Sequence, residues 1–147
     1  MTVPHARFAI NIVENSRNEL LLLKRAPQAQ LGPGLWGFPA GHIEPGETPL
    51  QCSLREIKEE LGTEGSLELL DSLGPVRDSF YGGGYRIYLF HYRWHAGEIR
   101  LNEEHTEYAW VSREHYRHYQ VMDGIDEDID YFKIWPRSYL NPDKLPR

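Results

Sequence analysis

GHIEPGETPLQCSLREIKEELGT, residues 41–63, carries a helix together with its start and its stop. Glu47-Thr48-Pro49 opens it, because acidic residues favour the positive end of the helix dipole and Pro is tolerated in the first turn. Gly62 closes it, since glycine adopts the left-handed backbone that ends helices. Between them Leu50, Leu54, Ile57 and Leu61 recur at spacings of four, three and four, which predicts the apolar stripe of an amphipathic helix. Glu56, Glu59 and Glu60 stand at i, i+3 and i+4 and are expected to share the opposite face. Like charges at that spacing repel. A divalent cation removes the penalty, and oxygen-rich clusters suit Mg²⁺ or Mn²⁺. The plainer reading of E-x-x-E-E is a solvated acidic face. A merely soluble helix, however, does not require Gly41, Glu47, Arg55 and Gly62 around it. Arg55 also has a plain role, an i,i+4 ion pair with Glu59.

The same positions resemble the Nudix box, G-x5-E-x7-R-E-U-x-E-E-x-G-U, where U is a bulky aliphatic residue. Gly41, Glu47, Arg55, Glu56, Glu59, Glu60 and Gly62 all match, and only Thr63 departs. Upstream, Trp36, Pro39 and Gly41 match a Trp, Pro and Gly that precede the helix in relatives, with Ala40 replacing a frequent Gly. The resemblance implies an α/β/α sandwich around a mixed sheet, in one domain spanning residues 1–147. It also implies a metal-dependent hydrolase that cleaves a pyrophosphate bond in a nucleoside diphosphate derivative. On it, Glu56, Glu59 and Glu60 hold Mg²⁺ or Mn²⁺ with the Gly41 carbonyl assisting. Arg55 orients the acids, and Glu47 is a helix-end residue and Arg55 partner. Glu56 is also a candidate base.

The resemblance extends outside the box. Many relatives carry a Glu on the loop before a Trp-Val strand, and Glu104, ahead of Trp110-Val111, holds that place, followed by His105. It is expected as an extra ligand or as the base. Lys24 and Arg25 are candidates for phosphate contacts, or ordinary surface cations. Tyr81 lies in the range where a Tyr accompanies dinucleoside polyphosphate substrates in some relatives, and it could stack on a base. Position 79 is Ser rather than the Pro of ADP-ribose enzymes. Of the upstream pattern of coenzyme A enzymes only Leu22, Arg25 and Phe38 survive. The expected substrate is therefore a nucleoside triphosphate, with a dinucleoside polyphosphate as the alternative and a non-catalytic binding module as a further one.

Composition sets the remaining bounds. The chain has 147 residues and is 40% hydrophobic, enough for one core, with nine Tyr, five Phe and four Trp supplying bulk. The net charge of −6 and the lack of a basic run argue against duplex nucleic acid. They also mean that an anionic substrate needs a local positive charge. Cys52 is the only cysteine, which rules out an internal disulfide, and its place beside Ser53 suits packing. No apolar run suits a signal peptide or a membrane span, so the cytoplasm is the expected location. A homodimer is left open.

Strands are expected over 7–14, 19–25, 66–80, 85–94, 98–101 and 107–112, with a plain turn at Gly82-Gly83-Gly84. Ser112 is expected to cap a helix through about Tyr119. Asp126, Asp128 and Asp130 have the spacing of a calcium loop, but Tyr131 stands where Gly is required and Arg137 where the closing Glu belongs. That segment is read instead as solvated, with Ile125, Ile129 and Phe132 facing the core.

Overall fold

A computed structural model describes residues 6–63 and 65–145. The box helix, α1 (Pro49–Leu61), is capped at both ends. Thr48 Oγ1 accepts from Gln51 N at 3.1 Å, and Gln51 Oε1 accepts from Thr48 N at 2.9 Å. This reciprocal pair satisfies two donors that a helix start leaves open. Gly62 turns left-handed at φ 72° and gives its N–H to Lys58 O. A Cβ there would meet the Arg100 carbonyl at 2.7 Å, so glycine is needed for space as well as for conformation.

Seven strands form one mixed sheet: β1 (Ala6–Glu14), β2 (Leu20–Arg25), β3 (Trp36–Gly37), β4 (Ala40–His42), β5 (Ser66–Arg77), β6 (Tyr85–Ala96) and β7 (His105–Val111). The order is β3-β2-β1-β6-β5, with β4 paired to β1 and β7 to β2. Only β1 and β6 run parallel; the other pairs are antiparallel. The Leu20-Leu21-Leu22-Leu23 run shows why two layers cover the sheet. Successive side chains point to opposite faces, so Leu21 and Leu23 join one core and Leu20 and Leu22 the other. The first core lies under α1 with Ile57 and Leu61, and the second lies under α2 (Ile125–Tyr131) with Ile125, Ile129 and Trp135. This is the α/β/α sandwich. Among the described residues no helix is long and apolar enough to cross a membrane.

α1 is rotated from the face its leucines predict. Leu50 and Leu54 are exposed, while Cys52, Ser53, Glu56, Ile57, Glu60 and Leu61 are buried. Glu56 and Glu60 therefore do not lie opposite the apolar face; they are part of the buried one. Small residues make the contact. Cys52 Sγ donates to His42 O at 3.3 Å. Ser53 Oγ donates to Asn11 Oδ1 of β1 and lies 2.6 Å from the Tyr92 hydroxyl of β6. A serine has one hydroxyl proton, so Tyr92 must be the donor in that second bond. The network fixes the helix across both central strands.

Three further expectations change. Residues 98–101 are not a strand, because Arg100 N donates to Leu61 O at 2.7 Å and the segment closes the end of α1 instead. The helix expected from Ser112 shrinks to a 3-10 turn at Tyr116–His118. The chain is then drawn back to the sheet, where Gln120 O accepts from Trp36 N and Val121 bridges Trp36. The tail is not a solvated segment: α2 buries Asp126 and Asp128 beside Ile125 and Ile129.

Removing the Ser53 hydroxyl leaves the Asn11 carbonyl and the Tyr92 phenol without their buried partner. Ser53→Ala is expected to lower stability by about 1–3 kcal/mol in a urea titration, with Tyr92→Phe adding less than its own single effect. Fully additive effects would mean that the three groups do not act as a network.

Candidate active site

Arg55 organises the start of the site. Its Nε and one Nη hold Glu47 at 2.7 and 3.0 Å, its other Nη reaches Glu56 Oε1 at 2.8 Å, and His42 O accepts at 3.0 Å. The Arg55 hydrogen bonds, with one from Glu44 N, hold the Glu47 carboxyl down at about 2. Glu47 is thus a structural anion at the head of α1. The i,i+4 contact of Arg55 with Glu59 is longer, 3.3 Å, and Glu59 stays exposed.

Glu56 and Glu60 lie one turn apart against β4. An added Cβ at Gly41 would fall 2.1 Å from the Glu56 carboxyl, so the absence of a side chain at Gly41 makes the room for that carboxyl. Ala40 N reaches Glu60 Oε1 at 3.4 Å, a long contact. Glu60 is only 2% exposed, and its Oε2 has no hydrogen-bond partner among the described residues. Burial first, then the Glu56 and Glu104 charges, push the Glu60 carboxyl well above its usual range. Burial raises Glu56 too, with the Glu59 charge adding, while Glu60 and Arg55 pull the other way.

The pair opens into a cavity of about 800 Å³, whose lining includes Gly41, Glu56, Glu60, Arg25, Glu104 and Tyr81. The fold thus brings these six together. It does not bring in Lys24, which pairs with Glu107 at 3.4 Å across β2 and β7. Nor do Arg55 and Glu59 line the cavity; Arg55 reaches it through Glu56. Tyr81 is set by Asp78, whose carboxylate accepts from the backbone N–H groups of Tyr81, Gly83 and Tyr85. The Tyr81 hydroxyl donates to Asp123 O at 2.8 Å, tying the β5–β6 loop to the entrance of α2.

His105 completes the buried cluster and had no assigned role in the sequence. Its Nδ1 lies 4.0 Å from Glu60 Oε2, and neither atom has a hydrogen-bond partner among the described residues. Burial, with the Arg25 charge, pushes His105 down to about 4, so it is neutral near pH 7. Its place next to Glu104 was the only signal available.

The donors fit a hard divalent cation. They are all oxygen: two buried carboxylates, one with a free oxygen, beside the Gly41 backbone. Among the described residues no three acidic, His or Cys side chains converge on one point. Glu56 and Glu60 are the preformed pair, and a third carboxylate would have to turn toward them.

The family model of the NUDIX domain matches residues 4–130. The chain belongs to the Nudix family. The nucleoside triphosphatase NudI of Escherichia coli O1:K1 is 36% identical over 113 residues, covering 69% of this chain and 78% of that protein. With these matches the protein is a Nudix hydrolase. The MutT protein from Methanosarcina mazei Go1 superposes with a TM-score of 0.76 at 23% identity, covering 96% of this chain and 99% of that one. A C. elegans Ap4A hydrolase gives 0.68 at 20% identity, covering 86% and 94%. Both share the Nudix fold seen here.

Gly41→Ala tests the room left for Glu56. The atom in the way belongs to a flexible side chain, so the variant is expected to fold, while turnover falls by on the order of 10²-fold as Glu56 is displaced. Normal turnover would show that the Glu56 position is unimportant. A second expectation concerns pH without metal. Because the Glu60 pKa is raised, its stabilising contribution is full below the ordinary value of 4.5 and is lost as pH rises through the raised pKa. In chelator, the Tm of the wild type should therefore fall relative to that of Glu60→Gln, which cannot ionise, as pH rises above 4.5. Parallel curves would rule out a raised Glu60.

Proposed function

We propose that this Nudix hydrolase is a divalent-metal-dependent nucleoside triphosphate pyrophosphohydrolase. The observation that carries the reading is the buried Glu56–Glu60 pair, with an unpartnered oxygen, opening into a cavity large enough for a nucleotide. The likeness to NudI, named a nucleoside triphosphatase, supports the substrate class.

Glu56, Glu60 and the Gly41 carbonyl would hold Mg²⁺ or Mn²⁺, with Glu59 turning in from its exposed position. When bound, the ion neutralises phosphate oxygens and lowers the pKa of a coordinated water. Arg55 keeps Glu56 oriented and opposes the effect of burial on its carboxyl. Arg25, on the cavity wall with its Nε held by Leu31 O at 2.6 Å, presents guanidinium N–H groups to the polyphosphate. Lys24 is left out of this role because it is engaged by Glu107. Glu104 lies on the same wall, and its backbone carbonyl accepts from Ala26 N at 2.9 Å. In the proposal it takes the proton from the attacking water, and Glu56 is the other candidate base. The water oxygen bonds to phosphorus as the bridging oxygen leaves with its electron pair. Tyr81 offers a ring face for the base, worth ~1–3 kcal/mol where a base stacks.

The dinucleoside polyphosphate alternative keeps one supporting observation, the position of Tyr81 on the cavity wall. A chromatographic screen of the products from nucleoside triphosphates, dinucleoside polyphosphates, ADP-ribose and sugar nucleotides, with and without Mg²⁺, separates the classes. Triphosphate cleavage that stops in chelator is expected. Glu60→Gln and Glu104→Gln should each lower kcat by on the order of 10²-fold or more, whereas Glu103→Gln and Glu107→Gln stay near normal. Equal small losses at all three loop glutamates would remove Glu104 from the mechanism. Cleavage of ADP-ribose alone would overturn the substrate class.

A further inference from the structure

Three arginines stand side by side across three neighbouring strands. Arg7 of β1 is in register with Arg86 of β6, and Arg86 is in register with Arg77 of β5. Residues paired in this way share a face of the sheet, and side chains alternate along each strand. Phe8 and Ile87, the next pair along, line the catalytic cavity. The arginines therefore belong to the other face, with Ala9, Phe90 and Tyr92 of the first core. They lie behind the cavity, and none of them lines it.

Like charges set directly opposite each other destabilise a sheet, and here two successive pairs are alike. Arg77 Nε and Arg86 Nη1 both donate to Gly83 O, at 3.0 and 3.2 Å, so two cations meet at one neutral carbonyl. Arg86 Nη1 also reaches Tyr85 O at 3.2 Å. The Arg77 guanidinium lies against Gly83, in space that a Cβ would fill. Both Nη groups of Arg77, with Nε and Nη2 of Arg86, have no acceptor among the described residues. Arg7 is exposed, and its side chain has no hydrogen bond or ion pair there either. Asp78, next to Arg77 in the chain, gives its carboxylate to the backbone N–H groups of Tyr81, Gly83 and Tyr85. In a chain whose net charge is −6, this row of cations has no carboxylate paired to it among the described residues.

We infer that Arg7, Arg86 and Arg77 form a binding site for a diphosphate group, inorganic or carried by a nucleotide, separate from the catalytic cavity. A guanidinium presents parallel N–H groups that match the oxygens of a phosphate, and the charge on both sides strengthens each bond. A lone carboxylate brings one negative charge to three cations. Two linked phosphoryl groups bring more charge and extend along the row, with strands about 5 Å apart. The site uses no metal and does not depend on the reaction proposed above.

The test measures binding to the full chain in chelator and about 0.15 M salt, where weak surface attraction is screened. Inorganic diphosphate, inorganic phosphate and ADP are titrated in turn, and the NMR amide signals of Arg7, Arg77 and Arg86 are followed. Diphosphate is expected to saturate these signals with a Kd below about 1 mM, at least roughly tenfold more tightly than phosphate. Arg7→Gln removes a guanidinium that makes no contact in the fold, so the variant should stay folded while binding weakens by about tenfold. Arg25→Gln, on the cavity wall, should leave the titration of these three signals unchanged. ADP binding as tightly as diphosphate makes the diphosphate group itself the recognised unit, and weaker ADP binding makes the free anion the ligand; either result upholds the site. The inference is overturned by signals that do not saturate, by phosphate binding as tightly as diphosphate, by binding that Arg7→Gln leaves intact, or by binding lost in Arg25→Gln.

Discussion

Two carboxylates withdrawn from water on the inner face of α1 constrain the rest of this structure. Charged groups are expensive to bury unless compensated, and Glu56 and Glu60 share the same side of one helix turn. Arg55 compensates Glu56 directly. Glu60 Oε1 receives a long contact from Ala40 N, and among the described residues its Oε2 has no hydrogen-bond partner. The arrangement holds because α1 is fixed elsewhere, by the Thr48–Gln51 cap, by Gly62 and by the buried Asn11–Ser53–Tyr92 network. Stability from those contacts offsets the cost of burying the two acids.

The helix rotation follows from the same constraint. A helix that buried its leucines would turn Glu56 and Glu60 outward. Here the close approach of α1 to the sheet comes from Cys52 and Ser53, and from the missing side chain at Gly41. Leu50 and Leu54 are left facing solvent. Burial of two large apolar groups is given up for the position of two polar ones, a local conflict of the sort found at functional sites.

The cavity has chemically different parts. Arg25 gives one wall a cation in a chain whose net charge is −6. The wall built by α2 and the β5–β6 loop carries acids and aromatic rings, with Asp78 shaping the loop and Tyr81 tying it to Asp123. Loop and helix are linked through single hydrogen bonds, Tyr81 to Asp123 O and Ser79 to Glu127.

The sequence by itself determined the helix from Pro49 to Leu61, its caps, most of the strands and the family. Those features are local: a capping residue and an alternation of apolar side chains read the same in any context. It also named Arg55, Glu56, Glu60 and Gly41, because the box ties residue types to fixed spacings, and Glu104 by its place ahead of Trp110-Val111. The face that α1 buries was decided only when the helix met β1, β4 and β6, where a hydroxyl network and a glycine outweighed two leucines. The fates of Lys24 and Arg25, adjacent on β2, were decided in the same way. Sequence reading treated them alike, yet register pairs the first with Glu107 and the fold sets the second in the cavity. The burial of His105 and Asp128 was decided by tertiary structure. A lone buried His or Asp has no sequence period, and its meaning depends on which groups from distant segments fail to satisfy it.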